Sequence, residues 1–574
     1  MTLLLALTLI AAAQTPPAQD PILRSMKDEL DRSRTLNVAR MAPYFIEYSL
    51  DDAVLYNVSA TYGGVLNESN LRVRQPRVRI RVGDAKLDNT NHIFSEGYRG
   101  ARYDSSQFAL DDNYDALRLG WWLATDRTYK QALEALARKK ASLRNVNLSE
   151  QLPDFSAASP LTHLPAFTQK PIEEALWRAR VKALSSVFSA YPDILASEVT
   201  ASTSLTTTYL LNSEGTQLRY PDNLASVRIR ASAITPDGMA VRDHDYFVSP
   251  EASGLPAEAI MNAAAVRVAQ NVTALTKAPS LDSYSGPMLF EGAAGPQLIA
   301  ELLCRNLTVN RRPISDPDRP INLPAGELEG RIGSRILPEW ADAVDDPTQK
   351  EWRGAPLMGF YVADADGVPP KPLPLVEKGV LKTYYTTRQP LPGAEISNGH
   401  ARLPGGLGNN TATGGNLFFR SSQPVSAVDL KKRFLEMIQQ RGKPFGIIVR
   451  KIDFPSTASG DEIRRIAGGS QGRAIARPLL AYKVTPDGKE ELIRGVRFRG
   501  VNARSLKDMA AASDEAIVFQ YLENRAPFAH LEAGGYVAGV SVIAPSLLFD
   551  DLELEKIPGE LPKPPLVPPP SLTQ

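Results

Sequence analysis

Gly286-Pro-Met-Leu-Phe-Glu-Gly-Ala-Ala-Gly-Pro-Gln-Leu-Ile-Ala-Glu301 is the stretch whose reading decides the fold. A Gly286-Pro287 turn leads into apolar Met288-Leu289-Phe290, and small residues follow. Pro296 suits the first turn of a helix, so the spacing predicts a strand-to-helix junction with a helix from about Pro296 toward Leu303. Glu291 stands where the apolar run ends. In a hydrolase such a junction can hold a metal-binding histidine pair beside a catalytic glutamate. Here the glutamate is present and the histidines are not.

Working outward, 574 residues suffice for roughly two to four domains with a large core. The 65 basic and 64 acidic residues balance to +1, so no global field favours nucleic acid or an anionic membrane. Hydrophobic residues make up 43% and charged residues 22%, as in a globular soluble protein. A single cysteine, Cys304, rules out an intramolecular disulfide and an all-cysteine metal site. The apolar run Met1–Ala13 is too short to span a bilayer, and Ala11 and Ala13 offer a small-residue cleavage pattern. The basic start of a signal is missing. Export to the periplasm or outside the cell is the expectation, with 1–13 as a signal peptide and no membrane span after its removal.

Along the chain, Ile22–Arg40 reads as an amphipathic helix and Pro43–Leu66 as strand. Val78, Ile80 and Val82 alternate with Arg77, Arg79 and Arg81, which places the arginines on one sheet face. That face reads as solvated rather than as a phosphate track, because no aromatic residues interleave. Helices are expected over Asp126–Leu143, Pro171–Phe188 (Ile172, Leu176, Leu184 and Phe188 inward) and Pro256–Leu275 (Ile260, Ala264, Val268, Val272 and Leu275 inward). Ser202–Pro250 reads as a meander with a Pro236-Asp237-Gly238 turn, and a second Pro-Asp-Gly turn ends at Gly488. The expected divisions are 22–150, 166–280, 281–555 and a Pro-rich tail over 556–574. The class is α+β: an N-terminal sheet-and-helix domain, a middle β-meander with helices, and a C-terminal, mostly antiparallel, curved and barrel-like sheet.

Zinc chemistry needs three or four closely spaced donors. His92, His163, His244, His400 and His530 are all more than a helical turn apart, so each reads as structural or surface histidine. Gly468-Gly-Ser-Gln-Gly472 matches a serine-hydrolase elbow in letters, but no buried strand leads into Ser470. The Gly405–Gly415 segment lacks the Lys-Ser/Thr of a phosphate loop and reads as a long loop open to close backbone approach. Cys304 lies among Leu302, Leu303 and Leu307 with no adjacent base, as a buried structural thiol does.

Several ordered segments carry a family resemblance: Gly286–Ala294, Glu377–Tyr385 with Thr387-Arg388, Ser397–Arg402, Gly415–Phe418, Leu479–Ser505 and Val542–Phe549. The chain resembles the TldD/PmbA (TldD/TldE) family of metallopeptidases, which act on unfolded or linear peptides. Laid on this sequence, the family's His-Glu-x-x-x-His falls on Phe290, Glu291 and Gly295, so only the glutamate survives. The region matching the family's third ligand, a cysteine, is Ala533–Ser541 and contains none. A carboxylate without a metal generates no zinc-bound hydroxide.

The resemblance therefore implies a metal-free, TldE-like partner subunit, with Glu291 as the surviving motif residue. It implies no metal ligand or cofactor in this chain, and zinc in a TldD-type homologue paired with it as heterodimer, or a homodimer. An unfolded peptide would be the substrate, bound in a cavity between subunits, and no nucleic acid is implied. Two alternatives stay open: an active peptidase with a rearranged site, Glu291 with His400, and a non-enzymatic envelope module that binds peptides or scaffolds through its tail.

Overall fold

Two long strands, Pro43–Thr61 and Gly64–Val82, close into an antiparallel hairpin. Its turn is made by Tyr62 and Gly63, both with positive φ (47° and 82°). The computed structural model describes residues 20–93, 108–144, 152–315, 326–405, 408–454, 476–523 and 537–557. The expected signal segment, the Gly468–Gly472 loop, His530, Gly534-Gly535 and the tail from 558 onward lie outside these residues.

Ala196–Asn212 pairs along the hairpin from Glu47↔Asn212 to Ala60↔Val199. Leu224–Ile234 and then Ala240–Ser249 extend the sheet beside one half of that strand, and Gln217–Pro221 and Thr162–His163 beside the other. The result is a seven-stranded sheet to which both the 22–150 and the 166–280 segments contribute. Four helices cover its apolar face: α1 (Pro21–Ser33), α2 (Tyr114–Ser142), α3 (Glu174–Ser186) and α4 (Glu258–Lys277). Ile46, Tyr48, Val78 and Ile80 meet α1 and α2, whereas Val58, Val199, Val227 and Ile229 meet α3 and α4.

Helix boundaries differ from the sequence reading where capping or tertiary contact decides them. α1 ends at Ser33, seven residues short of the expected Arg40. α2 begins at Tyr114, capped by the Asn113 side chain on the Ala116 N–H (3.0 Å), not at Asp126. Gly120 is tolerated within it because the Phe108 ring lies over that position. Ile260 and Leu176, placed on inward stripes by periodicity, face outward; the buried stripe of α4 runs through Met261, Ala264, Ala265 and Val268.

The C-terminal part is built on an 11-stranded sheet. Its hub is Ala538–Lys556, which pairs with Asn416–Ser421, Ser283–Phe290, Val496–Arg499 and Met509–Glu523. Pairing is mostly antiparallel, but among the described residues no barrel closes: the path is open, ending at Val380–Leu381 and Glu490–Ile493. Period-two alternation assigns the faces. Met288, Phe290, Ile447, Val449, Leu547 and Phe549 join the core that holds α5 (Ala294–Leu302), whereas Leu289, Ile448 and Leu548 join the one that holds α6 (Ala427–Gln440).

The arginine row is not a solvated face. Arg79 and Arg81 are buried, and the row docks the N-terminal sheet onto the C-terminal part. Arg79 donates to Glu47 Oε1 (2.8 Å) on its own sheet and to Asp366 Oδ1 (2.8 Å) across the junction. Arg77 and Arg81 reach the side-chain carbonyls of Asn410 (2.9 Å) and Asn409 (2.7 Å). Arg388 returns the contact to Glu214 (2.6 and 2.8 Å) and lies over the Phe155 ring. Sequence alternation alone cannot distinguish a wet face from one covered by residues 287 to 333 positions away.

Burial works to raise the Asp366 carboxyl, but Arg79, the Arg388 N–H and the Arg388 charge more than reverse it and hold it below its ordinary value. A carboxyl depressed in the folded state stabilises above its unfolded pKa of about 4, and that contribution is lost as pH falls through the folded value. Asp366→Ala leaves Arg79 with a buried, half-compensated charge. It is expected to cost about 3–5 kcal/mol in urea unfolding at pH 7, with a smaller difference from wild type at pH 3.

Candidate functional site: a filled corner and a polar sheet face

The strand Ser283–Phe290 ends where Gly292 (φ 63°) turns the chain into α5. That helix begins at Ala294, two residues before Pro296, and all nine of its residues are buried. Because it is covered on every side, each of its positions is sterically specified. The corner where the family's motif falls is therefore packed solid. Phe290 is fully buried, its ring 5.8 Å from that of Phe498 and 5.4 Å from that of Phe549. Gly295 lies against the hub strand, and a Cβ added there would come within 2.2 Å of the Pro545 carbonyl oxygen. No side chain, histidine included, fits at 295 without prising α5 from the sheet.

Glu291 points outward, about one-third exposed. Its Oε2 accepts from Arg450 Nε (2.6 Å), and Arg450 also bridges to Glu490 (2.9 Å) and lies over the Tyr482 ring. Lys431 closes the chain on Glu490 (2.7 Å). The positive charge beside Glu291 is thus a guanidinium. These residues do not fit a zinc ion: the two positions that would supply imidazoles hold a core phenyl ring and a glycine without room for a Cβ. Among the described residues no group of three or more His, Cys, Asp or Glu is arranged to hold a metal.

A second polar cluster, not anticipated as a unit, lies inside the same domain. The Asp345 carboxylate accepts from the Tyr385 hydroxyl (2.8 Å) and from the Gly415 and Asn416 N–H groups (2.9 and 3.1 Å). His400 Nε2 stands 3.4 Å from its other oxygen. Cys304 Sγ touches the Tyr385 and Tyr521 hydroxyls, both at 3.7 Å. Burial first, and then the Asp345 charge, push its thiol up to about 12, which makes it the inert buried thiol the sequence suggested. His400, fully buried in this cluster, shares no hydrogen bond or ion pair with Glu291 among the described residues. Gly414 and Gly415 do permit close backbone approach, but to the protein's own core: Cβ atoms there would meet Cys304 Sγ at 2.7 Å and Asp345 Oδ1 at 2.9 Å.

The seven-stranded sheet turns its other face away from the helices, and that face is polar. Ser202, Ser204, Thr206 and Thr208 line its central strand, and Asp51, Thr208 and Tyr220 form one cross-strand row. Asp51 accepts from the Thr208 hydroxyl (2.8 Å). Asp222 is exposed and stands near Asp51 and Arg402. Enclosure by surrounding protein, and then the Asp51 charge, raise its carboxyl to about 6 despite Arg402. Since the folded state holds this proton more tightly than the unfolded chain, the carboxyl opposes folding once it is ionised, above about pH 6. Asp222→Asn is therefore expected to stabilise the protein at pH 7.5 and leave it unchanged at pH 4, as read from thermal midpoints; an equal effect at both would show an ordinary carboxyl.

The chain is thus an α+β protein in which a buried helix N-terminus has been sealed against an open, mostly antiparallel sheet. Residues 324–556 match the PmbA/TldA metallopeptidase C-terminal domain and belong to that domain family, so the chain's resemblance to the TldD/PmbA family stands. Among solved structures the fold is similar to a candidate modulator of a DNA gyrase from Thermotoga maritima (14% identity, TM-score 0.57, covering 92% of this chain and 99% of that one). It is also similar to TldE from Thermococcus kodakarensis (13%, TM-score 0.56, 92% and 99%) and to a candidate modulator of DNA gyrase from Bacteroides thetaiotaomicron (10%, TM-score 0.52, 93% and 98%). No curated protein matches the chain.

Introducing the missing imidazoles should not create a metal site. Phe290→His with Gly295→His is expected to acquire no stoichiometric zinc by elemental analysis. It should lose about 3 kcal/mol or more in denaturant unfolding, from the lost phenyl packing and the clash at Pro545. Tight zinc binding by a stable double variant would show the corner to be open.

Proposed function

We propose that this chain is a non-catalytic, zinc-free member of the TldD/PmbA family, exported from the cytoplasm, that acts as the partner subunit of a peptidase for unfolded or linear peptides. The observation that carries this reading is the corner itself, where Phe290 fills the core and Gly295 is wedged against the Pro545 carbonyl. A site that had merely lost its ligands would keep space for them. This one has replaced that space with packing. The likeness in fold to TldE supports the same reading, as does the Arg450 guanidinium on Glu291, which neutralises the one carboxylate that could have served as base.

Peptide binding needs no metal. Half-buried hydroxyls on a sheet face and free strand edges can hold an extended main chain through hydrogen bonds that ignore side-chain identity. The polar face of the seven-stranded sheet has that character. The zinc and the hydrolytic step then reside in a TldD-type partner. The rearranged-site alternative, Glu291 acting with His400, is disfavoured because one residue is tied to Arg450 at the surface and the other is enclosed with Asp345 and Tyr385. No helix among the described residues is long and apolar enough to cross a membrane.

The test is elemental analysis and peptidase assay of the purified chain, alone and co-purified with a zinc-bearing homologue from the same genome. The expected result is no stoichiometric zinc and no hydrolysis alone, and activity on linear peptides in the pair that exceeds the homologue's own. Stoichiometric zinc with activity in the isolated chain, abolished by Glu291→Gln, would overturn the proposal.

A further inference from the structure

At the far end of the polar sheet face, away from Asp51 and Asp222, the side chains change sign. Leu224–Ile234 and Ala240–Ser249 pair with Arg228 opposite Tyr246, Arg230 opposite His244 and Ser232 opposite Arg242. Alternation puts all six on the face turned from α4. The intervening Asp243 and Asp245 project to the other side, where they meet Asn271 and Arg267 of that helix. His244 is only 5% exposed, and among the described residues its ring makes no hydrogen bond. Its ring nitrogens keep some access to solvent, and Arg228 and Tyr246 beside them are half-buried.

A nearly buried imidazole whose nitrogens meet no protein partner is open to water or a ligand, and such a group in a native structure calls for an explanation. We propose that His244, flanked by Arg228 and Arg242, forms a binding site for an oxyanion: a carboxylate or a phosphate. The neutral ring offers one N–H donor, and a guanidinium presents forked donors that match two oxygens of such a group.

The surrounding charges agree. Those that act most strongly on the ring are the cations Lys451, Arg228, Arg242 and Arg230. Burial first, and then these cations, hold the imidazole well below the usual histidine range. Arg230 pairs with Glu198, Arg242 with Asp453, which Arg477 also approaches (3.7 Å), and Lys451 with Asp243 and Asp245 across the strand edge (2.8 and 3.3 Å). Tyr246 lies beneath Arg228, with the guanidinium carbon 5.4 Å from the ring centre. An anion entering here would offset those cations, so the imidazole would protonate more readily in the complex. Oxyanion binding is therefore coupled to proton uptake. The site does not depend on the peptide reading above, although the C-terminal carboxylate of a peptide is one source of the ligand.

The experiment is calorimetric titration of the full chain, at pH 7 in two buffers of different ionisation enthalpy. The probes are inorganic phosphate and two linear peptides of one sequence, one ending in a free carboxylate and one in a carboxamide. Binding of phosphate, or of the free-acid peptide at least ~10-fold more tightly than the amide, with a buffer-dependent heat that reports proton uptake, is the expected result. His244→Phe should weaken that binding ~10-fold or more and abolish proton uptake; His244→Gln, which keeps a donor, should restore affinity without proton uptake. Thermal melts establish that both variants fold, and Arg228→Gln supplies an independent variant should either fail. Phosphate binding without discrimination between the peptides would assign the site to phosphate-type ligands and count against the peptide reading alone. Failure of every probe to bind, or unchanged binding in a folded His244→Phe or Arg228→Gln protein, would overturn the oxyanion site.

Discussion

The approach of α5 to the hub strand, at the point where Gly295 faces the Pro545 carbonyl, constrains much of the rest of the C-terminal part. A helix can lie this close to a strand backbone only where a Cβ is missing, and one glycine supplies that. Phe290 is then brought between Phe498 and Phe549, and Gln297 accepts the Ile452 N–H (2.8 Å) on the neighbouring strand. Four other strands pair with the hub, so a displacement of α5 would be felt across the sheet. Tight packing of this kind is incompatible with an open metal-binding corner. Structural integrity and zinc ligation make opposite demands on the same few residues, and in this chain integrity has taken them.

The same competition explains the state of Glu291. A carboxylate at the end of an apolar strand needs a counter-charge, and Arg450 provides it through a bridge that continues to Glu490 and Lys431. The bridge is about one-third exposed, so it stabilises little by itself. Its consequence is chemical: the glutamate is engaged as an acceptor by a permanently charged donor.

A different physics joins the two halves of the molecule. The N-terminal sheet meets the C-terminal part through arginines, carboxylates and amides, beside apolar contacts of Leu210 and Leu218 with Ala363 and of the α3–α4 core with Leu480. Arg79, Arg81 and Arg388 are desolvated there, and each finds acidic or amide partners. A junction of this type adds less net stability than apolar packing would, but mismatched partners are heavily penalised, so it sets the register of the two parts. Among the described residues no helix covers the rest of the polar face. The hydroxyl row, the Asp51–Asp222 pair and the basic residues around His244 all lie on that face.

Much of this was legible in the amino-acid sequence, because local physics decides it. Period-two alternation marked the strand that ends in arginines, Pro-Asp-Gly marked two hairpin turns, and the order of segments from Gly286 to Phe549 marked the family. The absence of two imidazoles beside Glu291 was likewise plain in the letters. The letters do not say what stands on the other side of a face or a helix. The arginine row read as wet because Asp366 and Asn409 lie hundreds of positions away, and Gly120 is accommodated within α2 because Phe108 covers it. Asp345, Tyr385, His400 and Cys304 come together only through long-range strand pairing, and the meeting of Gly295 with Pro545 is likewise a contact between distant segments. Periodicity and turn chemistry are encoded within a few residues, whereas burial, counter-charges and steric closure are set by whichever distant segments the folded chain brings into contact.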